Sequence, residues 1–405
     1  MEKFGNLIIG SLCLLLAGSC QNSNHTSFSN GLDNSPVVGT FVQVGDDQVL
    51  SCDQKLLTDS IRLPLSFLTE KAEIIHLDNR DEALVSDSRL LVSDNYILIW
   101  NKKQNPFKLF DRKGKFLTTI GAYGQGPNEY LNVYDAQLDE KNNRIYILPW
   151  QSAQILVYNL EGTPLPPIPL CLRAPKGTFH VNTQESTVAV VLLPFPGTPA
   201  VAWTQDFQGN RINFIEPGHL QAPQDYSNEV TTYNNIDGIF DVNILCIIPT
   251  REDSLYHYDF QNNRLRPCFT LNFHEDPIPW HGFNEWPNHF VGQFSGPPVV
   301  QQNEHGTIAT PGETVHYIVD KNTCKGAYFK IYNDYFGDQE IEWPSGIFSN
   351  GYYIRNMEPG NLLTEIETLL KKSDLSSDMR KKLTDIQNMI DENDNNYLMI
   401  YPLKR

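Results

Sequence analysis

The chain has 405 residues and a formal net charge of −17, with 31 Lys and Arg against 48 Asp and Glu. That balance argues against a nucleic-acid partner and against attraction to lipid headgroups through a basic patch, because both need clustered cations. No apolar run after the first twenty residues reaches the ~18 residues that a spanning helix requires, which leaves the rest of the length for a folded core.

Residues 1–19 read as a signal peptide. Lys3 supplies the positive start, and Leu7 to Ala17 form an apolar run too short to span a bilayer. Ala17, Gly18 and Ser19 then lead directly to Cys20, an arrangement that resembles a bacterial lipobox. The expectation is cleavage before Cys20 and lipidation on its sulfur, with each buried CH₂ of the acyl chains contributing ~0.8 kcal/mol of anchoring. Residues 20–45, which begin QNSNHTSFSN after the cysteine, are too polar to form a core and are expected to be a flexible tether. No acidic run follows Cys20, which points to a periplasm-facing, outer-membrane location in the cell envelope. Cys52, Cys171, Cys246, Cys268 and Cys324 are odd in number and show no CxxC spacing, so buried free thiols are expected rather than a disulfide framework.

From residue 46 onward a strand–turn–strand unit recurs. FKLFDRKGKFLTTI, ILVYNLEGTPLPPI, VAWTQDFQGNRINFI, LYHYDFQNNRLRPCFTL and VHYIVDKNTCKGAYFKI centre on Asp111, Asn159, Asp206, Asp259 and Asp320. The intervals are 48, 47, 53 and 61 residues. A β-hairpin repeat of this period is the signature of propeller blades, and Asp or Asn near a Gly supplies the positive φ of a tight hairpin. Strands such as 142–150 and 242–250 precede most anchors. The predicted fold is an all-β, six-bladed propeller over 46–405, with seven blades as the alternative count. The sixth blade is assembled from the chain ends, with the strand at 59–67 pairing with the C-terminal strands to remove the open edges. Between the last strands, Leu362, Leu363, Ile366, Leu369 and Leu370, then Met379, Leu383, Ile386, Met389 and Ile390, follow helical spacing. They predict a helical hairpin over 360–392, inserted in the last blade, with Ser376 or Ser377 as the intervening N-cap.

The stretch 120–165 carries a family resemblance. Gly124, Gly126, Pro127, Glu129 and Tyr130, then a strand at 145–148, then Tyr158, Asn159 and Gly162, resemble a blade junction of the uncharacterised six-bladed propeller lipoproteins of Bacteroidota, relatives of NHL-type propellers. The closing NDNNYLMIYPLK is similar to that family's last strand. The resemblance implies the fold and is silent on activity. Gly124 and Gly126 are expected to take positive φ in a turn stiffened by Pro127, with Glu129 bonding the loop or a ligand.

No catalytic signature is present, and no cofactor or metal motif. HEDPIPWHGFNEWPNH (274–289) reads as a loop, and its Trp280, His281 and Trp286, with Glu129, are the candidate ligand contacts. The favoured function is a membrane-tethered binding or scaffold module for a glycan, a peptide or an envelope protein. The alternative is a metal-dependent hydrolase or lyase, similar to lactonases, which would need residues such as Glu129, His180, Asp237 and His281 to converge in the central channel.

Overall fold

A computed structural model describes residues 31–405 apart from 87, 102–105, 248–249, 297–298, 304–305, 311 and 342–346. Cys20 and the signal peptide expected over 1–19 lie outside the described residues. No described helix is long and apolar enough to cross a membrane.

Six antiparallel blades make up the fold, each counted from its inner strand outward. Blade one is Arg89–Val92, Tyr96–Trp100, Phe107–Asp111 and Phe116–Ile120. Blade two is Val133–Asp139, Arg144–Pro149, Ser152–Tyr158 and Pro164–Ala174. Blade three is Gly177–Asn182, Thr187–Leu192, Ala202–Asp206 and Arg211–Ile215. Blade four is Glu229–Thr231, Asp241–Leu245, Leu255–Asp259 and Arg264–Asn272. Blade five is Trp280–Glu285, His289–Ser295, Thr314–Asp320 and Gly326–Asn333. Blade six is Ile347–Ser349, Tyr352–Met357, Tyr397–Pro402 and, from the other end of the chain, Glu73–His76.

Every blade is buried on both faces, which explains why its middle strands are continuous apolar runs. In Arg144–Pro149, Ile145 and Ile147 pack toward blade one with Leu98, Phe107 and Ile120, while Tyr146 and Leu148 pack toward blade three with Val188, Val190 and Trp203. One apolar cluster fills each of the six gaps between neighbouring blades, including the gap where Ile354, Leu398 and Ile400 of blade six meet Ile97, Ile99 and Phe110 of blade one. Each fully buried aliphatic side chain contributes about 1.5–3 kcal/mol.

The repeated Asp or Asn closes the third-to-fourth-strand turn of five blades. Asp111 accepts from the backbone N–H of Lys113 and Lys115 at 2.9 and 3.0 Å, and Asp206 from Gln208 and Asn210 at 2.9 and 2.8 Å. Asn159, Asp259 and Asp320 cap their turns in the same way. Gly114 and Gly162, at φ +85° and +83°, serve a second purpose. A Cβ on Gly114 would lie 2.2 Å from the His76 carbonyl oxygen, and one on Gly162 2.7 Å from that of Thr119. These glycines let the turn of one blade press on the fourth strand of the blade before it.

The N-terminal segment runs as a belt outside the last three blades. Asp47–Asp53 pairs parallel to the outer strand of blade four and carries Gly39–Val44 at its edge. The tether expected to reach residue 45 therefore gives way to sheet by Gly39, because Val38, Leu50 and Cys52 join the core between blades four and five. Ser60–Pro64 pairs parallel to Gly326–Asn333 of blade five, with Leu63 and Leu65 fully buried. The strand expected at 59–67 to close the ring thus belongs to blade five. Closure falls to Glu73–His76, which pairs antiparallel with Tyr397–Pro402.

The helical insertion consists of Pro359–Leu370 and Ser377–Gln387, between the second and third strands of blade six. Ser376 caps the second helix by accepting from the Met379 N–H at 3.2 Å. Leu362, Ile366, Leu369, Leu383 and Ile386 are buried against Leu65, Leu68 and Phe336. Lys372 and Lys382 donate to the Gly337 and Tyr335 carbonyls at 3.0 and 2.7 Å. The hairpin buttresses the rim of blade five, and none of its residues lines the axial cavity. Cys52 and Cys246 are buried, Cys171, Cys268 and Cys324 are half-buried, and all five thiols are free.

Replacing Gly114 by Ala forces a side chain onto the His76 carbonyl at a positive φ. We expect a loss of about 2 kcal/mol in unfolding free energy by urea titration, with an unchanged folded far-UV spectrum.

Candidate functional site

Inner strands approach the propeller axis, and their side chains line a cavity of about 610 Å³. Blades one, two, three, four and six contribute through Arg89–Leu91, Val133–Ala136, Gly177–Thr178, Glu229–Asn234 and, in blade six, Ile347, Ser349 and Asn350. This volume lies within the ~300–1,000 Å³ usual for small-ligand sites. A smaller cavity of about 250 Å³ adjoins it along the inner strand of blade five, and Tyr233 and Ile347 line both.

The segment after Glu229–Thr231 crosses the axis and makes the floor. The Tyr233 carbonyl accepts from the Asn350 N–H at 2.7 Å and the Ser349 hydroxyl at 3.2 Å, tying blade four to blade six. Asn235 donates to Asn284 of blade five at 2.8 Å, and Asn284 donates to the Phe348 carbonyl of blade six at 3.2 Å. Asp241 holds the crossing in shape. Its carboxylate accepts from the Asn234 N–H at 2.6 Å, the Tyr233 N–H at 3.0 Å and the Thr232 hydroxyl at 2.9 Å. Burial still pushes its pKa up.

Two further carboxylates stand on the wall. Asp135 accepts from the Thr178 hydroxyl at 2.6 Å, the Phe179 N–H at 3.1 Å and the Ala136 N–H at 2.9 Å. Its pKa is raised because desolvation outweighs those bonds. Glu229 is clasped by Lys176 at 2.6 Å and by the Tyr134 hydroxyl. Lys176 is buried and also donates to the Asn228 carbonyl at 2.8 Å. The Tyr134 phenol is pushed well above its ordinary pKa, first by burial and then by its bond to Glu229, so it remains a donor at neutral pH. Arg89 reaches the same wall, with its guanidinium 3.4 Å from the Tyr134 carbonyl oxygen.

The sequence candidates are not assembled here. Glu129 turns its carboxylate onto its own loop, accepting from the Gly126 N–H at 2.8 Å. Neither Gly124 nor Gly126 has positive φ, and Asn128 (φ 63°) takes that conformation instead. What the glycines provide is space: a Cβ on Gly124 would lie 1.9 Å from the Glu129 Oε2. Tyr130 completes the motif by accepting from the Phe107 N–H at 2.8 Å and donating to the Ile120 carbonyl. Residues 280–285 and 289–295 are strands of blade five, not a loop, because their alternating side chains fill both faces of the blade. Trp286 is 1% exposed and packs on Phe348 at 4.3 Å, so it has no surface to offer a ligand. His281 is buried, bonded to the Pro279 carbonyl at 2.9 Å, and burial lowers its pKa. Trp280 is half-buried on the same strand. His180 packs among Phe240 and Phe260, and Asp237 pairs with Arg405 at the surface, so the four residues named for channel chemistry do not converge.

Among the described residues, His257, Cys268 and Glu285 bring three potential metal-ligating atoms within 4.8 Å of one another. They lie between blades four and five, and the Glu285 oxygens are held by His257 and Lys321. That is a charge-balanced buried pair in the first instance.

The match to a family model spans residues 48–402, nearly the whole propeller. The chain belongs to the family described as "Domain of unknown function (DUF4934)". Its fold is similar to that of a Bacteroides fragilis protein described as a "Putative exported protein", with a TM-score of 0.58 at 14% identity, covering 85% of this chain and 100% of that one. A member of the DUF4221 family from Bacteroides vulgatus matches at a TM-score of 0.43 and 13% identity, over 83% of this chain and 97% of that one. The first of these likenesses speaks to fold alone. Comparison with curated proteins gives no match.

Lys176→Met leaves the Asn228 carbonyl and the Glu229 carboxylate without their buried donor. We expect a loss of about 3 kcal/mol by denaturant titration and local loosening of residues 226–229 by hydrogen exchange.

Proposed function

We propose that this DUF4934 protein is a lipid-tethered binding module of the cell envelope that takes a small polar ligand, a glycan or a short peptide, into its axial cup. The observation that carries the reading is the cup itself. It is large enough for such a ligand, is floored by the Tyr233–Asn235 crossing, and mixes hydroxyl, amide and apolar side chains in its wall. Such a lining supports orientation by a few placed polar groups over apolar contact. No nucleophile–base pair is built into it among the described residues, so binding is favoured over turnover.

The anchor rests on the sequence of the first twenty residues, and the exported description of the Bacteroides fragilis structure supports an envelope location. Kinship with NHL-type propellers belongs to the same proposal. A short tether between Cys20 and Leu32, which is buried in the core, would hold the cup close above a membrane surface, and that surface would be the periplasmic side of the outer membrane.

Two measurements test the reading. Labelled palmitate should enter the wild-type chain but not Cys20→Ala, which should move to the soluble fraction; equal labelling would remove the anchor. Ile347 is 43% exposed and lines both cavities, so Ile347→Trp should fill the cup without unfolding the protein. A screen of saccharides and peptides should yield ligands that lose at least tenfold in affinity with this variant. Ligands indifferent to Ile347→Trp would place binding elsewhere.

A further inference from the structure

We propose that Arg89 is the anion anchor of the cup and that the ligand it selects is an acidic sugar, a saccharide carrying a single carboxylate. The inference rests on the cup being the binding site.

Of the two cations at the cup wall, Lys176 and Arg89, only Arg89 has no carboxylate bonded to it among the described residues. Glu229 is neutralised by Lys176 and bonded by Tyr134. Asp135 has three donors of its own and no cation within 4 Å. Arg89 is exposed on the wall, and among the described residues no carboxylate pairs with it. Its recorded contact is one long bond to the Tyr134 carbonyl, which leaves most of its five N–H donors for a guest. Arg89 opens the inner strand of blade one and lines the cavity, which presents it at the wall of the cup. A planar fork of this kind matches a carboxylate through two parallel hydrogen bonds.

The remainder of the wall chooses among anions. Thr232, Asn234, Ser349 and Asn350 present neutral donors and acceptors that suit sugar hydroxyls. A peptide C-terminus offers the same carboxylate but brings few hydroxyls, so this wall of hydroxyls and amides favours a sugar. A phosphate dianion or a polysulfated chain is disfavoured, because Arg89 stands near the carboxylates Asp135, Glu229 and Asp241 and the whole chain carries −17. A single carboxylate seated on the Arg89 fork and carried by a polyhydroxylated ring is what this set of groups can hold.

Isothermal titration of the full chain with galacturonic acid, glucuronic acid and N-acetylneuraminic acid tests this. Galactose, glucose, the methyl ester of galacturonic acid and a tripeptide with a free C-terminus serve as comparators. The expected result is that at least one acidic sugar binds ten times or more tighter than its neutral counterpart, and that Arg89→Gln removes this preference. Thermal unfolding of Arg89→Gln should match wild type, since the side chain makes no buried contact. Neutral sugars or esters binding as tightly as the acids would overturn the proposal, as would a preference that survives Arg89→Gln, or binding of the tripeptide in place of the sugars. If neutral sugars bind and Ile347→Trp abolishes it, the cup remains the site and the Arg89 assignment alone falls. If none of the probes binds, the acidic-sugar assignment falls, and the cup stands or falls with the wider ligand screen against Ile347→Trp.

Discussion

Four residues from near the start of the chain hold the ring shut. Glu73–His76 lies beside Tyr397–Pro402, with Ile75 opposite Leu398 and His76 opposite Tyr397. Four cross-strand pairs are little by themselves, and the contact is reinforced on every side. The His76 ring stacks on Tyr397 at 4.7 Å. Asn395 donates to the Asp78 and Ala83 carbonyls at 2.8 and 3.0 Å and accepts from the Val85 N–H at 3.0 Å. The Gly114 turn of blade one presses against the same strand. Without this pairing blade six would end at an open edge and its apolar cluster with blade one would face water.

The closed ring fixes the inner strands at a common distance from the axis, and the cup follows from that. Each inner strand can place its first residues on the wall because the outer strands of its blade are locked between neighbours. The belt of Asp47–Asp53, Ser60–Pro64 and Glu73–His76 runs across blades four, five and six in turn. Those are the blades that the Tyr233–Asn235 crossing ties together at the axis. The same half of the propeller is thus braced at its rim and at its centre. A floor made of side-chain amides bonded to backbone carbonyls is stiff and directional, which suits holding a polar guest in one orientation.

Much of the architecture was legible because it repeats. The five Asp or Asn anchors each cap a real turn between third and fourth strands, and the sixth blade lacks an anchor because the chain ends break it at that connection. The helical hairpin was visible in the spacing of Leu362, Ile366 and Leu369. Glu73–His76 was not, since EIIH is too short to show a period, whereas the apolar Leu63 and Leu65 drew attention to a strand that serves blade five. The cup was illegible for another reason. Arg89, Asp135, Glu229 and Tyr233 are single polar residues in or just beyond the inner strands of three blades, spread over about 145 positions, and only the ring brings them to one axis. The dense cluster at 274–289 caught the eye, but its Trp286 and His281 are needed for packing within and around blade five. Clustering in sequence favoured local structure, while the site was built from distant parts.

Amide hydrogen exchange along the intact chain tests the closure most directly. The account predicts that residues 73–76 are protected to the same degree as 397–402 and lose protection together with them as denaturant is added, because one ladder holds both. Rapid exchange at 73–76 while 397–402 stays protected would contradict it, and with it the claim that the N-terminal belt seals the ring on which the cup depends.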